Sequence, residues 1–174
     1  MIFTFVTYNI WFDNYLMRQR MKQIIQIFKN EQPDIICLQE VTPNSLQILM
    51  DSLFIVDNYY FSLTEMTQCY DTLILVNNTK FNVINTNIYD FGESGHSMMG
   101  RGYHHMEIEF KFGDEHLNIV TSHLESEFKK DAKNKLYQYK YILDKFKNTE
   151  NVVFAGDLNI PNYQSGYYDK IAKN

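Results

Sequence analysis

Two stretches of this chain, residues 2–40 and 116–157, repeat one pattern: an apolar strand, a helix and a second apolar strand. Nothing else restricts the fold so tightly, because strands joined in this way run parallel in a sheet covered on both faces. In the first copy "IFTFVTYN" (2–9) leads to a helix over about 16–30, marked by Met17, Met21, Ile24, Ile25 and Phe28 at helical spacing. Pro33 stops it, and "DIICLQ" (34–39) is the returning strand. In the second copy "HLNIVTSH" (116–123) and "NVVFAGD" (151–157) flank a helix over about 127–147 that carries Leu136, Leu143 and Phe146. The four strands deliver polar residues to their carboxyl ends: Asn9, Glu40, His123 and Asp157. In open α/β sheets that edge is where ligands bind.

Between the copies, Thr42-Pro43 suits the N-cap and first turn of a second helix with Leu46, Leu49, Met50 and Leu53. From about 55 to 90 the pattern turns to strands: "FIVDNYYF", "YDTLILVN" and "KFNVINTNIYDF", with Asn77-Asn78 as a hairpin turn. A glycine-rich loop (91–102) follows, then "MEIEFKF" (106–112), whose strict alternation marks a strand wet on one face, turned by Gly113-Asp114 into residues 116–123. The last seventeen residues, "LNIPNYQSGYYDKIAKN", have the character of a loop. No linker or low-complexity stretch divides the 174 residues, so the expectation is one domain with a sizeable core.

Hydrophobic content of 45% excludes a disordered chain. A formal charge of −5 gives no global attraction for DNA or membrane, so any polyanion site is local or depends on a metal. Cys37 and Cys69 are too few for a disulfide scaffold, which favours a reducing, intracellular setting without deciding between nucleus and cytoplasm. "MIFTFVTYNIWFD" has neither the basic start nor the long apolar run of a signal or membrane span, so no membrane partner is expected.

A lone strand-end Glu is usually a cap or an ion-pair partner, and a lone Asn a turn residue. Four such residues at matched ends of two repeats point to a site instead. Two carboxylates, an imidazole and the amides of Asn9 and Asn159 suit a hard cation held through oxygen. Mg²⁺ is the best fit, with few carboxylates, retained waters and a phosphate, and Mn²⁺ is its natural substitute. Cysteine is absent from these strand ends, which argues against structural zinc. Metal-assisted phosphodiester hydrolysis needs a Lewis acid, a base for water and donors for phosphate oxygens. Glu40, Asp157 with Asn159, and His123 match those roles.

"TYNIWFD" (7–13), "PDIICLQEVTP" (33–43), "TSHLES" (121–126) and "FAGDLN" (154–159) stand in the order and spacing of the endonuclease/exonuclease/phosphatase superfamily. Together they most resemble its tyrosyl-DNA phosphodiesterase 2 branch, from Thr4 to about Asn159. The resemblance implies a four-layer α/β sandwich of two packed sheets. It implies that Glu40 ligates Mg²⁺ with Asn9 beside the metal and the scissile phosphate. It further implies that Asp157 activates the attacking water, that Asn159 supports the transition state, and that His123 and Ser126 contact phosphate oxygens. The implied substrate is a DNA 5′ end carrying a tyrosyl adduct. Tyr70, in "CYDTLILV", resembles an aromatic position that meets the substrate end; a half-buried strand tyrosine is the other reading.

The chain departs from that pattern in places. Tyr8 stands where the family usually has Trp, and Pro161 replaces a basic residue. The family's closing Ser-Asp-His motif has no counterpart before Asn174. The expectation is therefore a domain incomplete at its C-terminus, a second sheet lacking its last strands, and only trace turnover from these 174 residues. The other readings are another nuclease or phosphatase of the superfamily, or an inactive fragment that binds DNA or a partner. A stabilising His is worth roughly 10²–10³ in rate. A separate C-terminal segment or self-association would make good the exposed edge. Three weaker signals complete the reading. Arg101 is either a phosphate contact or a solvent-exposed loop residue. His104-His105 reads as a strand pair. Lys129, Lys130, Lys133 and Lys135 form either a solvated face or a DNA-backbone patch.

Overall fold

The computed structural model describes residues 2–126 and 133–160. Its order is β1 (Phe5–Asn9), α1 (Met17–Glu31), β2 (Ile35–Val41), α2 (Pro43–Met50), α3 (Leu53–Asn58) and β3 (Tyr59–Phe61). Then come β4 (Asp71–Asn77), β5 (Phe81–Asp90), β6 (Gly102–Phe110), β7 (His116–His123), α4 (Lys133–Phe146) and β8 (Val152–Asp157). Among the described residues these strands form two four-stranded sheets, ordered β1-β2-β4-β3 and β5-β6-β7-β8. Both repeats expected from the sequence are present as parallel pairs. Asn9 lies opposite Gln39, and His123 opposite Asp157.

Alternation along β2 explains the layering. Ile35 and Cys37 face the second sheet and pack with Ile74, Val76, Met106 and Ile119. Ile36 and Leu38 point the other way, into a core shared with Met21, Phe28 and Leu49 of the helices. A third cluster, including Phe91, Tyr103, Val120 and Ile142, joins the second sheet to α4. The result is helices, sheet, sheet, helix: the four-layer α/β sandwich. Burial on both faces is why β2 is a continuous apolar run. It also pushes the Cys37 thiol pKa up to about 12, by desolvation.

Local signals decide the ends of elements. Thr42 caps α2 by accepting from the Ser45 backbone N–H, Ser45 reciprocates, and Pro43 occupies the first turn. Two expectations fail. "FIVDNYYF" is strand only over Tyr59–Phe61; Leu53–Asn58 is a short helix with Ile55 buried and Leu53 exposed. Its apolar run serves a helix in which the Ile55 and Val56 N–H groups donate to the Ser52 carbonyl. Asn77-Asn78 sits in a turn but makes no hairpin, because β4 pairs with β2 and β3 while β5 pairs with β6. The turn carries the chain from one sheet to the other. Among the described residues no helix is long and apolar enough to cross a membrane. Lys129, Lys130, Pro161 and most of the C-terminal loop lie outside the described residues.

Candidate active site

Asn9, at the end of β1, joins the two sheets. Its Nδ2 donates to Glu40 Oε1 at 2.9 Å and to Asp157 Oδ2 at 3.0 Å, so one amide spans two carboxylates from different sheets. Glu40 reaches this position through a bulge. Leu38 pairs with Leu73 and Val41 with Asp71, so β2 carries one residue more than β4 over the same interval. Glu40 itself sits at φ 61, the left-handed region that a non-glycine residue rarely occupies. The bulge turns its carboxylate onto the rim, where Oε2 accepts from the Phe12 backbone N–H at 2.9 Å.

Asp157 ends β8. Its Oδ1 accepts from the backbone N–H of Asn159, itself at φ 51, while Asn159 Nδ2 donates to the Leu124 carbonyl. Asn159 thus closes the turn that holds Asp157. The glycine before Asp157 is required by the parallel neighbour: a Cβ on Gly156 would lie 2.0 Å from the Ser122 carbonyl oxygen.

His123 lies between the carboxylates, with Nδ1 3.9 Å from Glu40 Oε1 and Nε2 3.7 Å from Asp157 Oδ2. Arg101 approaches Nδ1 at 2.9 Å, and a guanidinium can only donate, so Nδ1 accepts and Nε2 carries the proton. Burial and then the Arg101 charge lower the His123 pKa, against the pull of Asp157, Glu40 and Glu125. The native ring is neutral at pH 7. Its folded-state pKa lies below the unfolded value of about 6.5, so the unfolded chain takes up the proton first as pH falls. Stability from neutral His123 is complete above about pH 6.5 and is lost as pH falls through the lowered folded value. A thermal-melt series should show Tm dropping more steeply below pH 6.5 for the native chain than for His123→Gln. Equal slopes would contradict the assignment.

Tyr70 and Arg101 form the wall beside His123. The Arg101 guanidinium lies 5.1 Å over the Tyr70 ring, and Tyr70 stacks on Phe12 at 5.4 Å between centroids. Arg101 is 5% exposed, which excludes the solvated-loop reading. Ser126 directs its hydroxyl at Met99 Sδ. Lys135 is buried and donates to the Asn159 carbonyl, so it belongs to the underside of this turn and not to a solvated lysine face.

Three contributors were not anticipated from the sequence. The Phe12 N–H is invisible to side-chain motifs. Gln39, buried between the sheets, donates to Thr7 Oγ1 and Thr121 Oγ1 beneath the rim, continuing the inward alternation of Ile35 and Cys37. Glu125 accepts from Ser97 Oγ and the Met98 N–H, while Ser97 Oγ accepts from the Arg101 N–H. Glu125 therefore fixes the loop that carries Arg101; "SHLES" held that signal. His104, on β6, meets Ser62 at 3.0 Å and Asp71 at 3.3 Å across the sheets, a carboxylate partner that sequence spacing did not reveal.

The donor set suits a hard cation. Glu40 accepts two hydrogen bonds and retains unspent lone pairs on a side chain 14% exposed. Among the described residues no group of three His, Cys, Asp or Glu forms a cage. One carboxylate with retained waters and a phosphate is a coordination set natural to a hard cation.

The Endonuclease/Exonuclease/phosphatase family matches the chain over residues 6–170. No curated protein matches it by sequence. Solved structures do. TDP2 from C. elegans is 26% identical with a TM-score of 0.80, the match covering 92% of this chain and 49% of that one. D. rerio TDP2 complexed with single strand DNA product is 21% identical with a TM-score of 0.80, covering 99% and 71%. ANGEL2, a 2′,3′-cyclic phosphatase, is 18% identical with a TM-score of 0.78, covering 98% and 56%. The chain thus spans between 49% and 71% of the length of these solved chains.

Proposed function

This chain belongs to the endonuclease/exonuclease/phosphatase family, and from that premise we propose that it is a Mg²⁺-dependent phosphodiesterase hydrolysing the bond between a tyrosine and a DNA 5′ phosphate, in an intracellular setting. The observation that carries this reading is the single Asn9 amide spanning Glu40 and Asp157, with neutral His123 between the two carboxylates. Glu40 would hold the cation, with Asn9 alongside. Bound there, the cation neutralises phosphate charge and stabilises the charge that develops on the phosphoryl oxygens.

The remaining work falls to the chain's own residues. Asp157, held by Asn159 and Asn9, orients water and takes its proton. His123 carries its proton on Nε2 and donates from there to a phosphate oxygen. Asn9, whose two amide hydrogens hold Glu40 and Asp157, keeps both carboxylates aimed at the same group, and Ser126 rotates its hydroxyl towards it. Arg101 and Tyr70 form the flat wall against which a phenol leaving group packs. The likeness to a TDP2 bound to single strand DNA product supports a DNA end as the substrate.

A comparable likeness to a 2′,3′-cyclic phosphatase sets the competing reading. A 5′-tyrosyl oligonucleotide and a 2′,3′-cyclic phosphate oligonucleotide, each incubated with the chain and Mg²⁺, separate the two. The expected result is a 5′-phosphate product from the first and an intact second substrate. Opening of the cyclic phosphate with the tyrosyl end untouched would replace this reading with the other.

A further inference from the structure

Hydrolysis of a phosphodiester gives no reason for what the β1–α1 loop, residues 10–16, displays. Trp11 and Phe12 are each 48% exposed, although burying either ring would be favourable. Trp11 sits at φ 62 and Leu16 at φ 50, two strained non-glycine residues in one short loop. Arg20 of α1 holds the loop in that shape. It donates to the carbonyls of Trp11 at 2.8 Å, Asp13 at 2.7 Å and Tyr15, and its guanidinium lies 4.6 Å over the Trp11 ring. The loop is also tied to the rim, since the Trp11 N–H donates to Asn9 Oδ1 and the Phe12 N–H to Glu40 Oε2. Strain maintained by this many bonds, with both rings left half exposed although Arg20 lies over one and Tyr70 stacks on the other, marks a surface built for contact.

Charge indicates what it contacts. With a net charge of −5 the chain has little general attraction for a phosphate backbone. Affinity for a single strand then has to come from stacking on aromatic faces, which is available to any base. We propose that Trp11, with Phe12 beside it, is a stacking platform for an unpaired nucleobase of the strand whose terminal phosphate lies at the rim. This rests on the reading that the rim acts on DNA ends.

Trp11 is the only tryptophan in the chain, so its emission reports on the platform alone. The full chain is titrated with oligothymidylate while tryptophan emission is followed, and with a labelled copy while anisotropy reports binding. Quenching that rises in step with anisotropy is expected, and an abasic deoxyribose-phosphate oligomer of equal length should bind about tenfold more weakly without quenching. Trp11→Gly, which relieves the left-handed backbone while removing the ring, should also lose about tenfold in affinity, and Trp11→Phe should recover most of it. Thymidylate that binds without quenching would overturn the platform and leave the DNA-end reading standing. Quenching by a phosphotyrosyl peptide and not by thymidylate would seat the leaving group there and overturn it as well. Absence of binding by either oligomer would overturn the platform together with the reading on which it rests.

Discussion

Glu40→Ala should lower Mg²⁺ affinity at the rim by more than about 100-fold. Losing a partner that only orients a metal ligand costs 10–100-fold, and Glu40 is the ligand itself in the proposed site. Its removal leaves the Asn9 Nδ2–H and the Phe12 N–H facing an empty position, and an N–H group does not ligate a cation. Calorimetric titration of Mg²⁺ into both forms measures the difference without any turnover. A second readout comes from linkage: Mg²⁺ should raise the Tm of the native chain and leave that of Glu40→Ala unchanged. Because Glu40 lies at a strand end and not in the packed core, the variant should retain the far-ultraviolet spectrum of the native chain. Glu40→Gln keeps the shape and removes the charge, so its affinity should fall nearly as far. Equal affinities in native and variant forms would remove Glu40 from the metal site.

Asp157→Asn should lower the rate of 5′-tyrosyl phosphodiester hydrolysis roughly 10²–10⁴-fold, the usual worth of a positioned base. The geometry makes the change doubly damaging. Both carboxylate oxygens accept from fixed N–H groups, Oδ1 from Asn159 and Oδ2 from Asn9. An amide at this position must turn its own NH₂ towards one of those donors, and it cannot take a proton from water. Single-turnover gels with enzyme in excess measure the rate, and Mg²⁺ calorimetry on the same variant separates lost chemistry from lost metal. A variant within tenfold of the native rate would reject Asp157 as the base.

The four rim residues were legible in the sequence because each ends an apolar strand, and two βαβ repeats leave few other ways to arrange those ends. How Glu40 meets the rim was not legible. The extra residue in β2 and the left-handed backbone at position 40 depend on pairing with β4, which no local pattern encodes. The same holds for Asn77-Asn78, where turn chemistry announced a reversal but not that the chain would change sheets. Residues 54–58 read as strand and fold as helix because a short apolar run fits helix and strand alike. Arg101 lay in a glycine-rich loop with every local mark of exposure. Its burial comes from Glu125 and His123, more than twenty residues along the chain.

Hydrolysis in ¹⁸O-labelled water tests most directly whether this rim delivers water to phosphorus. A 5′-tyrosyl oligonucleotide is incubated with the chain and Mg²⁺ in that solvent, and both products are weighed by mass spectrometry. The expected result is one heavy oxygen in the DNA 5′-phosphate, none in the released tyrosine, and labelled phosphate formed roughly 10²–10⁴-fold more slowly by Asp157→Asn. Label in the tyrosine phenol, or labelled phosphate formed equally well by Asp157→Asn, would contradict it.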